Sequence, residues 1–580
     1  MNVKLKGALL GLAAMLTVAA TNLHAQTGIV IAGSSALYLE AGQAAATNYG
    51  CVWSTGSKIF SLTDTRITPN PVDKGAAWIA WEPGSTGCGS VSTATGSVVV
   101  AYINLDSTIG ARCFFANPRC TVGATSNPSG TAGANKLAPI EDSGDLPAAA
   151  FNAINGTGLA IAASDIRAED SKFATLRVLT ACGVPVQNSL GANSQYLGIG
   201  FTNGSTILGA TSGPPAAAQG GSFNVMNFNL VGTDPITGNT LPASYVQLPA
   251  AVTPVLVIVN PSDGSGFGSL QVSNITSATL AGYLDGTYGS TGDVQAVPYS
   301  GSAQTGTTVY IREPLSGTYN TMEYNVANTV ENQSSMDVGL AAIAAFNNQA
   351  AVPVDYCQNS GGTSATGGSE PNPFTETLTR GSGVTSNRYR VIGTGNMVAA
   401  VEGTPDSLGY SFWSAANFGS ATASTVKYLT VDGIDPLQQV WTDGEVPTSG
   451  NGLLGDVSLA HIRDGSYPIW GEQEFISDPS GNTNYTVATT LQGALSRFLS
   501  PTQPDFVPYS SLEVVRSHFA PPGVTFLNPN KVSTPSIPCN GSGSGTEAGG
   551  SVGGMVYTYF SEGSYNNDNG LSCGNVAHRR

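Results

Sequence analysis

The sequence predicts an α/β fold, because strand-like apolar runs are followed repeatedly by polar turns and helix-like segments. Three segments show this order: TGIVIAGSSALYLEAGQAAATNYG (27–50), GSVVVAYINLDSTIGARCFFA (96–116) and TTVYIREPLSGTYNTMEYNV (307–326). A fourth run, VTPVLVIVN (252–260), is almost continuously apolar, as in a strand buried on both faces. Strands that alternate with helices favour parallel pairing, and open α/β sheets bind small molecules beyond the carboxyl ends of their strands.

The first 25 residues have the pattern of a secretory signal peptide. A short basic start (MNVKLK) precedes an apolar stretch (GALLGLAAMLTVAA) and a small-residue exit, with cleavage predicted after Ala25. The apolar stretch is too short for a membrane-spanning helix. We therefore expect residues 1–25 to be removed and the mature protein to be exported, to the periplasm or the cell exterior, without membrane insertion.

Length and charge restrict the class of partner. The remaining chain of about 555 residues is long enough for two or more domain-sized units. Removal of the signal peptide leaves 20 basic against 38 acidic residues, a net charge of −18. An acidic surface argues against nucleic acid as a partner. It does not exclude a small anion, because a local site can be positive within an acidic protein.

The cysteines of an exported chain are expected to form disulfides. Eight cysteines permit 105 pairings, and the close pair Cys113 and Cys120 is the one that the sequence favours. The others are Cys51, Cys88, Cys182, Cys357, Cys539 and Cys573. A CxxC zinc pattern is absent from the sequence, and no metal is expected.

Long insertions rich in Gly, Ser, Thr and Pro separate the predicted elements. We expect them to form surface loops or small β excursions. They cover approximately residues 52–95, 117–148, 186–244, 358–384 and 527–552.

Arg312 stands four residues before Ser316-Gly317-Thr318, where a helix is predicted to begin. A guanidinium offers a planar fork of donors to an oxyanion, and a helix start offers unsatisfied N–H groups. Together they predict half of an anion site. The alternatives are a surface ion pair of Arg312 with Glu313 or Glu323, and a simple helix cap at Ser316.

Three other strand-to-helix junctions have a similar chemistry: Gly33-Ser34-Ser35-Ala36, Asp106-Ser107-Thr108 and Ser164-Asp165. With REPLSGTYN, their order resembles that of the phosphate-binding proteins of phosphate-specific ABC transporters, which have the periplasmic type II binding-protein fold. The similar segments are IAGSSALYLEAGQAA, VAYINLDSTIGARCF, IAASDIRAEDSKF, YVQLPAAVTPVLVIVN, NITSATLAGYLDGTYG, REPLSGTYN, GTGNMVAAVEGTPDSLGYSFWS and GSYPIW.

The resemblance implies a set of anion contacts. They are Ser35, Ala36, Ser107, Asp165, Arg312, Ser316, Gly317 and Thr318, with Ser34, Asp106 and Thr108 as additional candidates. Two departures stand out: Ser35-Ala36 replaces the Thr-Phe that is frequent in the family, and Asp106 replaces a small residue. A second carboxylate at Asp106 leaves open the choice of a different oxyanion.

Asp165 makes chemical sense in this set only if the anion carries a proton. A carboxylate repels an anion but accepts a hydrogen bond from a protonated oxygen. Phosphate keeps a proton near neutral pH and sulfate does not. A buried carboxylate left unpaired costs several kcal/mol, which is enough for strong discrimination.

The sequence thus predicts a two-lobe binding protein that holds inorganic phosphate in the interlobe cleft. One lobe would combine residues 26–257 and 406–580, and the other would span 258–405, with the crossings as a hinge. The resemblance implies an ABC permease as the membrane partner. The alternative is a secreted surface protein that retains the scaffold.

Catalysis and cofactor binding are not expected. The mature chain has three histidines (His461, His518 and His578), without an HExxH helix or a GxSxG elbow. A phosphatase-like enzyme is the weakest reading for that reason. GTGNMVAA lacks the GxGxxG spacing of a nucleotide site.

Overall fold

The structure is a computed structural model that describes most of the predicted α/β elements. The described residues are 26–54, 60–62, 73–75, 77–104, 106–121, 146–166, 168, 171, 201–202, 206–207, 244–284, 286, 288–294, 305–312, 316–327, 375–379, 385–391, 394–419, 421–438, 441, 443–495, 505–512, 514–516 and 556–558. The predicted signal peptide lies outside them, as do Cys182, Cys357, Cys539 and Cys573.

A mixed sheet of 13 strands forms the framework. Its strands are β1 (Thr27–Gly33), β2 (Cys51–Ser54), β3 (Ala77–Trp81), β4 (Val98–Asn104), β5 (Leu159–Ser164), β6 (Val246–Val259), β7 (Thr308–Arg312), β8 (Thr375–Thr379), β9 (Thr385–Val391), β10 (Ser407–Phe412), β11 (Lys427–Tyr428), β12 (Trp470–Ser477) and β13 (Val507–Pro508). The main path runs β8-β9-β7-β10-β6-β12-β5-β1-β4-β3-β2, and β11 and β13 also pair with β6.

Nine α-helices lie among the described residues. They are α1 (Leu37–Tyr49), α2 (Ser107–Phe115), α3 (Ala148–Ile154), α4 (Gly266–Leu270), α5 (Ser277–Leu284), α6 (Gly317–Met322), α7 (Thr394–Glu402), α8 (Ala460–Arg463) and α9 (Thr483–Leu495). Short 3-10 segments are Thr291–Val294, Leu453–Asp456 and Tyr509–Ser511, and a π-helical turn, Glu323–Ala327, follows α6. Two-stranded ribbons pair Phe60–Leu62 with Asp73–Gly75, Pro83–Gly84 with Gly87–Val91, Phe201–Thr202 with Thr206–Ile207, Asn274–Ile275 with Thr430–Val431, and Val514–Arg516 with Val556–Thr558.

The long strand β6 divides the sheet into two parts. Its residues 246–254 pair with β12, whereas its residues 255–259 pair with β10. We call the strands on the β12 side the first half-sheet and those on the β10 side the second half-sheet. Each half contains parallel strands: β1 pairs with β4 and β5 in the first, and β7 pairs with β9 and β10 in the second. The predicted α/β fold is therefore confirmed.

Both faces of the first half-sheet are covered, which explains its apolar strands. Ile29 and Ile31 of β1 pack in one core cluster with α1 and α9, and Val30 and Ala32 pack in the other with α2 and α3. All four side chains are at most 2% exposed. A strand covered on both sides needs apolar residues on both faces, and the buried residues 29–32 (IVIA) of β1 have this composition.

Within the insertion at 52–95, the described residues 52–54 and 77–81 form a β excursion that belongs to the core. Strands β2 and β3 extend the first half-sheet in antiparallel fashion next to β4. Trp53, Trp78 and Trp81 are 0% exposed, and the indole N–H of Trp78 donates to the Tyr38 carbonyl over 2.9 Å. Of the two expected alternatives, a surface loop or a β excursion, the large buried area of these aromatic rings favours the second.

Two disulfides tie the first half-sheet. Cys113 is bonded to Cys120, as the sequence predicts, and Cys51 at the start of β2 is bonded to Cys88. Among the described residues, no helix has both the length and the apolar character needed to cross a membrane.

Candidate functional site

The turn after β1 is held by the Ser34 side chain. Its hydroxyl oxygen accepts hydrogen bonds from the N–H groups of Ala36 and Leu37, both over 3.2 Å, so Ser34 caps the start of α1. The backbone is fixed as well, because the Ser34 N–H donates to the Ala163 carbonyl over 2.9 Å. Gly33 has φ +135° and lies against the Ala163 backbone, where a side chain would clash. This turn therefore requires the Gly-Ser sequence.

Asp165 joins three of the predicted junctions. The hydroxyl of Ser34 donates to its Oδ1, and the hydroxyl of Ser107 donates to its Oδ2 over 3.0 Å. The Asp165 N–H in turn donates to the Ser107 oxygen over 3.2 Å. Strands β1, β4 and β5 are parallel neighbours, so the residues that follow them meet at one edge of the sheet. The carboxylate is 3% exposed and lies at this meeting point.

Burial raises the pKa of Asp165 to about 6. The hydrogen bonds from Ser34 and Ser107 and the positive charge of Arg312 act in the opposite direction and limit the rise. The carboxyl group is therefore ionised above about pH 6. A carboxylate has about four lone-pair positions, so it can accept another donor in addition to the two hydroxyls.

Arg312 is buried at the end of β7, with 1% of its surface exposed. Its Nη1 donates to the hydroxyls of Thr318 over 3.3 Å and Thr394 over 3.1 Å. The backbone N–H of Arg312 donates to the Tyr410 hydroxyl over 3.0 Å. The burial does not fit the alternative of a surface ion pair. Glu313, one of the partners considered, lies outside the described residues, and Glu323 is itself buried.

Helix α6 brings the second half-sheet against Asp165. A Cβ added to Gly317 would overlap Asp165 Oδ2 and stand 2.6 Å from the Ser107 hydroxyl oxygen. Ser316 precedes the helix in an extended conformation, and its carbonyl accepts the Asn320 N–H over 3.1 Å. Ser316 therefore occupies the cap position, and Gly317 is the residue of α6 whose small size allows the close approach.

The other predicted residues lie around this centre. Ser35 contacts the second half-sheet, with its hydroxyl oxygen 3.3 Å from that of Thr394. The N–H of Ala36 is engaged by Ser34, so an anion there would have to share or replace that hydrogen bond. Asp106 and Thr108 are both buried at the start of α2.

Three residues that sequence reasoning missed support the site. The Tyr102 hydroxyl donates to the Ser34 carbonyl over 2.5 Å, and Tyr410 and Thr394 contact Arg312. For Thr394 a signal was present, since RYRVIGTGNMVAAVEG has the same order of strand, Gly-containing turn and helix as the other junctions. Among the residues that the structure describes, no group of three or more His, Cys, Asp or Glu could hold a metal ion.

Comparison with known proteins gives only distant likenesses. No family model and no curated protein matches the chain. Similar solved structures include a phosphate-binding protein from Stenotrophomonas maltophilia, with 13% identity, a TM-score of 0.29 and coverage of 83% of this chain and 91% of that one. A human phosphate-binding apolipoprotein has 11% identity, a TM-score of 0.29 and coverage of 83% and 90%.

An ABC-type phosphate transport receptor from Vibrio cholerae is also similar, with 12% identity, a TM-score of 0.24 and coverage of 44% of this chain and 71% of that one. All three are named for phosphate binding or transport. An overlap this small is no basis for assigning a ligand, which has to be argued from the residues of the site itself.

Proposed function

We propose that this chain is an exported binding protein that captures inorganic phosphate between two lobes and delivers it to an ABC-type importer. The observation that carries the proposal is the buried Asp165 carboxylate. It accepts hydrogen bonds from two hydroxyls, and the positive charge of the buried Arg312 limits the rise in its pKa that burial causes. A cation attracts an oxyanion, and a neighbouring carboxylate selects one that still has a proton to donate.

The proposed ligand groups come from both half-sheets. They are Ser35, Ala36, Ser107, Asp165, Arg312, Ser316, Gly317 and Thr318, with Ser34 as a cap and Asp106 and Thr108 at the edge of the site. The two-lobe division at residues 26–257 with 406–580 and at 258–405 belongs to the same proposal, as does the type II binding-protein fold. Capture needs no cofactor or catalytic group, and the place of action is the periplasm or the cell exterior.

The test is calorimetric titration of the phosphate-stripped mature protein with phosphate and with sulfate at pH 8, where Asp165 is ionised. We expect phosphate to bind and sulfate to give no response. Asp165→Asn should lose selectivity, because an amide no longer repels a fully deprotonated oxyanion. Asp443→Asn is the matched control, since Asp443 is exposed and pairs with Lys427 away from the site. Its selectivity should equal that of the wild type.

Two results would contradict the proposal. If neither anion binds the wild type, the scaffold serves another role, and a secreted surface protein becomes the better reading. If a different oxyanion binds and phosphate does not, Asp106 becomes the residue to substitute next, because it adds a buried carboxylate at the start of α2.

A further inference from the structure

Thr394 opens α7 directly after β9, at the edge of the sheet where Arg312 ends β7. Strands β7 and β9 are parallel, with Arg312 opposite Val391, so the residues that follow them emerge side by side. Thr394 is 5% exposed. It thus has the same relation to its strand as Ser34, Ser107 and Asp165 have to theirs.

The contact of Thr394 with Arg312 determines which groups can accept the hydroxyl proton of Thr394. A guanidinium can only donate, so the Thr394 oxygen is the acceptor in its 3.1 Å contact with Arg312 Nη1. A hydroxyl has one proton, and this proton is left for a partner on the other side of the oxygen. Among the residues that the structure describes, the Ser35 hydroxyl lies within reach, 3.3 Å away on the opposite half-sheet.

We propose that Thr394 is a further anion-binding residue, which donates its hydroxyl proton to the same oxyanion that Arg312 attracts. This inference rests on the proposed function and adds a residue to its site. Ser35 and Thr394 present two hydroxyls from opposite sides of the cleft next to a buried cation. Both can turn from each other towards an oxyanion, which is a stronger acceptor than a neutral hydroxyl.

The test compares phosphate affinity in the mature wild type, Thr394→Val and Thr394→Ser. Valine keeps the shape and removes the hydroxyl, so we expect affinity to fall roughly tenfold or more, the usual loss for a hydrogen bond to a charged group. Serine keeps the hydroxyl and should restore affinity to within about threefold of the wild type. Thr404→Val is the matched control, because Thr404 pairs with the Tyr310 hydroxyl beyond the other end of α7.

A double-mutant cycle with Ser35→Ala distinguishes two roles of the Thr394 hydroxyl: a hydrogen bond to the anion, or a hydrogen bond to Ser35 alone. If both hydroxyls donate to the anion, their losses add; if they only bond to each other, the double variant loses no more than either single variant. The second result overturns the inference, as does wild-type affinity in Thr394→Val or an equal loss in Thr394→Ser. A wild type that binds no phosphate refutes the proposed function, and this inference with it. Thermal unfolding of each ligand-free variant verifies that the fold is intact.

Discussion

Asp165 is expected to make the stability of the ligand-free protein depend on pH. Its folded-state pKa of about 6 lies above the value of 3.8 for an ordinary aspartate, so the folded state holds this proton more tightly than the unfolded state does. The stabilisation is fully present below about pH 4 and is lost as pH rises through about 6. The shift corresponds to on the order of 3 kcal/mol.

Urea unfolding of wild type and Asp165→Asn without phosphate measures this effect. The free energy of unfolding of the variant, relative to the wild type, should rise between pH 3.5 and 7 by on the order of 3 kcal/mol. Burial also raises the pKa of Glu40 and Asp505, and these groups remain in both proteins, so the difference reports on Asp165 together with its repulsion of Glu40. A flat difference for Asp165→Asn would contradict the assigned burial.

At the scale of elements, the sequence predicts those strands and helices whose formation depends on the local pattern of apolar and polar residues. The segments β1-α1, β4-α2 and β7-α6 were predictable because each joins an apolar run to a Gly- or Ser-containing turn and a helix start. Strands β2 and β3 were not, because their place depends on antiparallel pairing with β4 and on the packing of Trp53 and Trp78. Thr394 stands at a junction with the same local pattern, but its contact with Arg312 spans 82 residues and follows from strand register, so the pattern alone did not assign it to the site.

At the start of α6, position 317 has no room for a side chain when α6 lies against Asp165. A Cβ would overlap Asp165 Oδ2, so the Gly317→Ala variant must hold α6 away from the first half-sheet. We expect phosphate affinity to fall by roughly tenfold or more, because the ligand groups of the two half-sheets no longer converge. Ligand-free thermal stability should be unchanged or slightly raised, since alanine favours a helix more than glycine does.

Gly493→Ala in α9 is the matched control for Gly317→Ala. An added Cβ at Gly493 meets nothing within 4 Å, so the helix propensity changes and no contact is lost. This variant should bind phosphate as the wild type does. Normal affinity in Gly317→Ala would show that α6 does not have to reach Asp165 for binding.

At the scale of the whole molecule, we propose β6 as the hinge between the two half-sheets. The change of partner falls between Pro254, which pairs with β12, and Val255, which pairs with β10. Hydrogen bonds hold both sides of this point: Trp413 N–H donates to the Pro254 carbonyl over 2.9 Å, and the Tyr467 hydroxyl donates to the Val255 carbonyl over 2.7 Å. The close approach of Gly317 to Asp165 and the contact of Ser35 with Thr394 also join the two halves, at the edge where the candidate site lies.

Phosphate should therefore shift the molecule towards a closed shape. An anion between the half-sheets forms hydrogen bonds to both of them only when they are close together. It therefore binds the closed arrangement more tightly than an open one, and this difference in binding free energy favours closure. Small-angle X-ray scattering of the mature protein should show a smaller radius of gyration with phosphate than without it. Arg312→Gln removes the cation and should show no change, whereas Arg119→Gln, which loses the distant ion pair with Asp478, should respond like the wild type. Phosphate binding by calorimetry with an unchanged radius of gyration would mean that the halves do not move and that β6 is a rigid crossing.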